Sequence, residues 1–238
     1  MDIELKNNVA QDEYTDYVCA KYDLDGKTES ITVVPMFNKD ELDSFEWNIG
    51  LVVGESGSGK STILRQFGDF EEFRYNEEKP VVSQFEEMAP EEVEDLLHGV
   101  GLNSIPTWLQ SPHTLSVGQK ARLDAAKALS IAMKGNVVTI DEWTSTVDRE
   151  TAKSLSFSIQ RFIRAHNLKV IFASCHYDIL YDKKDKCSYL QPDWVYSLNK
   201  RDENGNCDLC LIDYEDKSYD DASKRVSDGD VLTRRHTV

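Results

Sequence analysis

The chain has 238 residues, 40% of them hydrophobic and 29% charged, a balance that excludes a fibrous or largely disordered protein. That length accommodates one large α/β domain or two small ones and buries most of a core. A formal net charge of −16 repels polyanions, and the sequence holds no basic patch to overcome it, which argues against direct binding of nucleic acid or an acidic membrane surface.

In chain order, residues 31–35 and 47–53 are β-branched and apolar, and both read as strands. The second runs into a glycine-rich turn. Residues 61–67 lack breakers and space Ile63, Leu64 and Phe67 at helical intervals, so the order is strand, Gly loop, helix. From Asp69 to Asp95, eleven carboxylates face only Arg74 and Lys79, which reads as a solvated face or a docking surface for a basic partner. Between Met88 and Leu102 an acidic amphipathic helix is expected, with Pro90 in its first turn and Gly99 or Gly101 closing it. Residues 116–134 form a second, alanine-rich helix. Two apolar runs, 137–140 and 169–174, flank a helix from about Asp148 to His166, a β-α-β unit that calls for a parallel sheet. Residues 214–238 carry mixed charge and few large apolar side chains, and a flexible tail is expected there, leaving 1–213 as the folded domain.

No run approaches the roughly 18 apolar residues of a membrane-spanning helix. The start Met1-Asp2-Ile3-Glu4 lacks the basic residues of a secretory signal, so a cytoplasmic location without membrane insertion is expected. Five scattered cysteines fit reduced thiols. Cys207-Asp208-Leu209-Cys210, with Cys187 upstream, offers zinc-type ligands, but no His or second Cys-x-x-Cys completes a set of four.

The chemistry is carried by Gly54-Glu55-Ser56-Gly57-Ser58-Gly59-Lys60-Ser61, followed by Thr62. The pattern Gly-x4-Gly-Lys-Ser/Thr aims successive backbone N–H groups inward at phosphate oxygens, and glycine supplies the dihedrals this requires. Lys60 adds a positive charge at the β- and γ-phosphates, and the Ser61 hydroxyl is a Mg²⁺ ligand. A carboxylate at the end of a neighbouring buried strand is needed to hold the metal, and the run Val137-Val138-Thr139-Ile140-Asp141 ends on one. Glu142 follows at once, so Asp141 is assigned to Mg²⁺ and Glu142 to orienting and activating the attacking water.

With these residues in place the chain resembles the ATP-binding-cassette ATPases. Leu115-Ser116-Val117-Gly118-Gln119 is similar to that family's signature sequence, and Ser116 with the Gly118 backbone at a helix N-terminus makes a site for a γ-phosphate. The resemblance implies ATP and Mg²⁺ as cofactors and a head-to-tail dimer in which each signature completes the other copy's site. It further implies that Asp148 links the two sites, that His176 is the switch histidine contacting the γ-phosphate, and that Gln84 senses Mg²⁺ and water. It implies a phosphate-loop (RecA-like), mostly parallel sheet with flanking helices, a small antiparallel β part at the N-terminus, and a short helical subdomain at about 86–134. Phe37 and Tyr22 are the aromatics considered for adenine stacking, with a core role preferred for both. Trp143 stands where many relatives carry Pro or Ala.

The interval of 56 positions from Lys60 to Ser116 is short beside that of most transporter motors, and there is no coiled-coil insertion of the kind chromosome-maintenance ATPases carry. A narrower resemblance runs through Trp47-Asn48-Ile49-Gly50, Pro106-Thr107-Trp108-Leu109, Asp141-Glu142-Trp143-Thr144, Ser174-Cys175-His176-Tyr177-Asp178 and Gln191-Pro192-Asp193-Trp194-Val195. These stretches look like soluble cassette ATPases of prokaryotes and phages that are often fused to an acetyltransferase-like domain, which is absent here. Three expectations follow: an ATPase whose dimerisation switches a partner such as a nucleic-acid enzyme or a separate acetyltransferase-like protein, a transporter motor with a separate membrane subunit, and a module that uses ATP as structural glue.

Overall fold

A computed structural model describes residues 2–8, 11–24, 29–68, 73–180, 188–201 and 207–212. The expected tail at 214–238, Cys187, and Asp69, Glu71 and Glu72 of the acidic stretch lie outside these, as does the side chain of Cys207. The chain divides into two compact units, Met1–Asn38 and Lys39–Val238.

In the first unit β1 (Asp2–Asn8) pairs antiparallel with β2 (Glu29–Pro35), Asp2 opposite Pro35 and Asn8 opposite Glu29. The helix between them, α1 (Glu13–Tyr22), starts at a reciprocal cap: Thr15 N–H donates to Asp12 Oδ1 at 2.9 Å and Asp12 N–H to Thr15 Oγ1 at 2.6 Å. This helix buries none of its residues. Tyr22, for which the sequence favours a core role, is instead 63% exposed, whereas Phe37 is buried.

The second unit is built on a five-stranded sheet in the order β4-β5-β3-β6-β7. At its centre β3 (Ile49–Val53) pairs in parallel with β5 (Val170–Ser174) and β6 (Trp194–Arg201). A strand enclosed on both edges and both faces must be apolar throughout, and all five of its residues are buried. On one flank β4 (Val138–Ile140) runs parallel to β5, and on the other β7 (Cys207–Leu211) closes the sheet antiparallel to β6. Gly50 cannot be larger: a Cβ there would lie 2.1 Å from the indole of fully buried Trp194, which crosses over it. This is the phosphate-loop, RecA-like α/β fold expected, with its small antiparallel element at the N-terminus.

The helices are α2 (Lys60–Arg65), α3 (Pro90–Gly99), the single turn α4 (Ile105–Trp108), α5 (Val117–Ala132) and α6 (Arg149–Ala165), the last being the crossover from β4 to β5. On α3, Val93, Leu96 and Leu97 turn inward while Glu91, Glu92, Glu94 and Asp95 face solvent, as the sequence period requires. Gly101, in the left-handed region at φ 79°, follows its end. Leu96 and Leu97 join Leu123 and Leu129 of α5, Leu155 and Ile159 of α6, and Leu51 and Phe172 of the sheet in one apolar core. Burying each such side chain contributes roughly 1.5–3 kcal/mol. No helix among the described residues is long and apolar enough to cross a membrane.

Candidate functional site

Three of the segments singled out in the sequence leave the sheet at one edge. Val53 lies opposite Ser174 and Ile140 opposite Phe172, so the loop after β3, the turn after β4 and the loop after β5 all emerge at the carboxyl ends of parallel strands. Ligand sites in open α/β sheets form there. One detail differs from expectation: the strand that ends at Asp141 is not the neighbour of β3, because β5 lies between them.

The glycine loop turns with Gly57 at φ 79° and Gly59 at φ 99°, both left-handed, and hands over to α2 at Lys60. No side chain caps α2, so the N–H groups of its first turn are left for a ligand. Lys60 is buried and folds back across the loop, its ammonium donating to Gly54 O at 2.9 Å and Glu55 O at 2.7 Å. These two carbonyls stand where phosphate oxygens would otherwise engage the charge. Within the loop Ser58 N–H donates to Glu55 O at 3.2 Å, while the Ser58 hydroxyl is buried with no hydrogen-bond partner. A buried orphan hydroxyl, an uncapped helix start, left-handed glycines and a buried lysine together fit a bound polyphosphate. Lys60 and the loop amides would hold it, and Ser61 with Asp141 would hold Mg²⁺. The half-buried Thr62 follows on α2.

Beyond β4 the chain makes a turn over the end of β5. Glu142 N–H donates to Asp141 Oδ1 at 2.8 Å, and Glu142 and Thr144 both adopt positive φ, 48° and 67°. Left-handed backbone at non-glycine residues costs of order 1–3 kcal/mol and persists only where neighbours impose it. Trp143 is what imposes it. Its N–H donates to Ala173 O at 2.7 Å, its indole donates to Ser156 Oγ on α6 at 3.0 Å, and its ring lies 4.7 Å from that of Phe172. Trp143 is thus the buried peg of the turn, leaving Glu142 exposed at its crest.

Ser116, Gly118 and Asp148 come together at two adjacent helix starts. Ser116 caps α5 in a reciprocal box with Gln119, its own N–H donating to Gln119 Oε1 at 2.9 Å. Asp148 caps α6, accepting from Thr151 N–H at 2.9 Å and Thr151 Oγ1 at 2.6 Å, and these bonds hold its carboxyl below the usual range. Gly118 faces Thr151: a Cβ there would sit 3.3 Å from the Thr151 methyl group. Ser116 and Asp148 are exposed.

His176 is half-buried and enters its loop with its N–H on Ser174 Oγ at 3.0 Å. The next two residues moor that loop. Tyr177 OH accepts from Asn199 Nδ2 at 2.7 Å, and Asp178 makes a two-pronged ion pair with Arg149, both contacts 2.7 Å. Gln84 is placed differently from a side chain aimed at a metal. Its amide donates to Asn76 O at 2.8 Å and Lys79 O at 2.9 Å and accepts from Asn76 N–H at 3.0 Å, while its backbone carbonyl accepts a hydrogen bond from the Lys127 ammonium. It fastens its own loop, beside a cavity of ≈ 530 Å³ lined by Phe73, Phe85, Lys127 and Ile131 among others. Sequence reasoning assigns no role to Tyr177, Asp178, Arg149 or Asn199. Two of these stand beside His176 in the motif, but their partners lie 22 to 29 positions away in the chain. Among the described residues no group of three or more His, Cys, Asp or Glu is set to hold a metal by itself.

No family model matches the chain. Among curated proteins it is 29% identical over 108 residues to the energy-coupling factor transporter ATP-binding protein EcfA of Methanoculleus marisnigri, covering 45% of this chain and 35% of that one. It is 26% identical over 202 residues to the methionine import ATP-binding protein MetN of Clostridium tetani, covering 62% of each. The match thus spans less than two thirds of these relatives. Among solved structures it superposes on the dimeric, post-hydrolysis ATP-binding cassette MJ0796 bound to ADP and Pi with a TM-score of 0.56 at 14% identity, over 89% of this chain and 98% of that one. A second dimeric structure of that cassette gives 0.51 at 15% identity, over 84% and 94%. At such identities the superpositions speak to the fold.

Proposed function

We propose, for a chain that belongs to the general family of ABC-type ATPases, that it binds and hydrolyses Mg-ATP in a head-to-tail dimer of two copies. What supports this reading is that the residues singled out fall into two groups, each read as half of a site. One half is the phosphate loop with Asp141, Glu142 and His176. The other is the exposed pair of helix starts bearing Ser116, Gly118 and Asp148, whose remaining first-turn N–H groups suit an anion. In the closed dimer Ser116 and Gly118 of one copy would complete the other's site.

Mg-ATP supplies the phosphoryl group and the metal that spreads its charge. The protein's own work is positioning. Lys60 leaves the carbonyls of Gly54 and Glu55 for phosphate oxygens, the loop amides hold the chain of phosphates, and Glu142, raised on its strained turn, orients water. His176 and Gln84 are proposed at the γ-phosphate and at the metal and water; for Gln84 this requires release from Asn76 and Lys79. Motion of Gln84 would then be felt in the cavity it borders, where a partner can engage.

The named relatives are ATP-binding proteins of transporters. They favour a motor role for this chain, with dimer closure driving a membrane subunit carried on another polypeptide. A second reading, an ATPase that switches a partner such as a separate acetyltransferase-like protein, draws on the short interval of 56 positions between Lys60 and Ser116 and on Trp143. The experiment uses Glu142→Gln with Mg-ATP in size-exclusion chromatography with light scattering. The variant is expected to run at twice the mass of one chain and to lose multiple turnover. A variant that binds ATP as a monomer would refute the two-site sandwich, and wild type without turnover would leave ATP as structural glue. Proteins held by the trapped dimer separate the two partner readings: a membrane subunit supports the first, an acyltransferase the second.

A further inference from the structure

The residue that joins the phosphate loop to the His176 loop is neither of the two loops' own. Asn199, on β6, accepts from Glu55 N–H through Oδ1 at 2.9 Å and donates from Nδ2 to Tyr177 OH at 2.7 Å. A backbone N–H only donates, so the first bond fixes which way the amide faces and obliges the second to be a donation to the phenol. Glu55 is also the residue whose carbonyl receives Lys60 and Ser58 N–H. Tyr177 is held against ionisation by its burial, hydrogen-bonds Ser197 on the same strand, and directly follows His176. One amide therefore pins the start of the phosphate loop with one atom and the His176 loop with another.

We infer that Asn199 is a positioning residue that keeps the phosphate loop and His176 in register, so that the lysine and the histidine address the same phosphate. The inference rests on the ATPase reading above. Asparagine suits the task because one side of its amide accepts and the other donates. Aspartate can substitute in part: its carboxylate accepts from Glu55 N–H and accepts the phenol proton of Tyr177, so both links survive with the second reversed, at the expense of a negative charge beside the phosphates.

The test is steady-state ATP turnover of wild type, Tyr177→Phe, Asn199→Ala, the double variant and Asn199→Asp, with a thermal midpoint for each and the His176 ring resonance followed by NMR without nucleotide. Tyr177→Phe is expected to lower kcat about three- to tenfold with KM within about twofold, the scale of one lost hydrogen bond felt at the transition state. Asn199→Ala should lower kcat by a similar factor and also raise KM, because Glu55 is freed. The double variant should lose no more kcat than Asn199→Ala, since both changes break one chain of contacts. Asn199→Asp should keep kcat and raise KM. The His176 resonance should move in both single variants, with the thermal midpoint of Tyr177→Phe unchanged. Multiplicative losses in the double variant, or a Tyr177→Phe enzyme with wild-type kcat and an unmoved His176 resonance, would overturn the inference. Should Asn199→Ala not fold, Tyr177→Phe decides by itself. Should wild type show no turnover, the ATPase reading falls and the resonance alone decides the register.

Discussion

At the scale of single residues, two side chains divide the load between chemistry and fold. Lys60 is buried, and its ammonium donates to two backbone carbonyls, those of Gly54 and Glu55. A buried ammonium satisfied only by neutral acceptors is poised for a stronger anion. Lys60→Ala is therefore expected to weaken ATP binding about ten- to a hundredfold, the worth of charge-assisted hydrogen bonds, as read by titration calorimetry. Trp143 has the opposite profile. It never reaches the crest where Glu142 stands, yet it fixes the turn through Ala173, Ser156 and Phe172. Trp143→Ala should cost about 3–5 kcal/mol in denaturant unfolding, and Trp143→Phe, which keeps the ring contact and loses the indole donor, about 1–2 kcal/mol. Equal losses in the two variants would show that the Phe172 contact contributes little.

At the scale of elements, the helix starts of α5 and α6 serve two purposes with the same atoms. Ser116 and Asp148 cap their own helices, so any anion they bind in a dimer competes with, or is added to, a cap already made. Gly118→Ala separates the purposes. It places a methyl 3.3 Å from Thr151 and improves helix propensity by about 1 kcal/mol, so stability should change little while the ATP-dependent dimer is lost. Light scattering and a melting curve on the same sample check both halves of that statement. The Asp148 cap also gives a sign to pH dependence. Its carboxyl is depressed by the Thr151 hydrogen bonds, so the stability it adds is present above its ordinary value of 3.8 and is lost as pH falls through the lower folded value. The advantage of wild type over Asp148→Ala should accordingly shrink only in strong acid.

The same scale shows what the sequence disclosed. Strands and helices with one dominant period were legible: β3, α3, α5, β4, α6 and β5 appear within one to three residues of expectation. The phosphate loop and the turn at Asp141 were legible because their chemistry is local. The hairpin of β6 and β7 was not, since Trp194–Arg201 mixes a buried half, Trp194 to Leu198, with a polar end that carries Asn199. Nor was α1, whose residues are all partly or fully exposed and so leave no apolar stripe to read. Contacts such as Arg149 with Asp178 couple distant segments through geometry alone, and one sequence carries no mark of them.

At the scale of the whole molecule, charge sets the terms of association. Each copy carries −16, and the proposed dimer, enclosing two nucleotides, would bring further negative charge together. Association is then opposed by long-range repulsion that salt screens over about 8–10 Å at ordinary ionic strength. Raising salt from about 50 to about 300 mM should tighten the Mg-ATP-dependent dimer of Glu142→Gln, measured by sedimentation. A dimer that weakens with salt would place attractive charge pairs at the interface instead.

The position of β3 has a consequence for how the protein comes into being. The strand that launches the phosphate loop is complete by Val53, but both strands that flank it begin only at Val170 and Trp194. During synthesis at about 5–20 residues per second, the loop waits roughly 7–30 s for its scaffold. Until then a nascent chain has the sequence of a nucleotide site and none of its shape. ATP is therefore unable to chaperone the early half of the chain, and a ribosome-bound fragment that stops before β6 should emerge as a client for holding factors and not as a small ATP-binding domain.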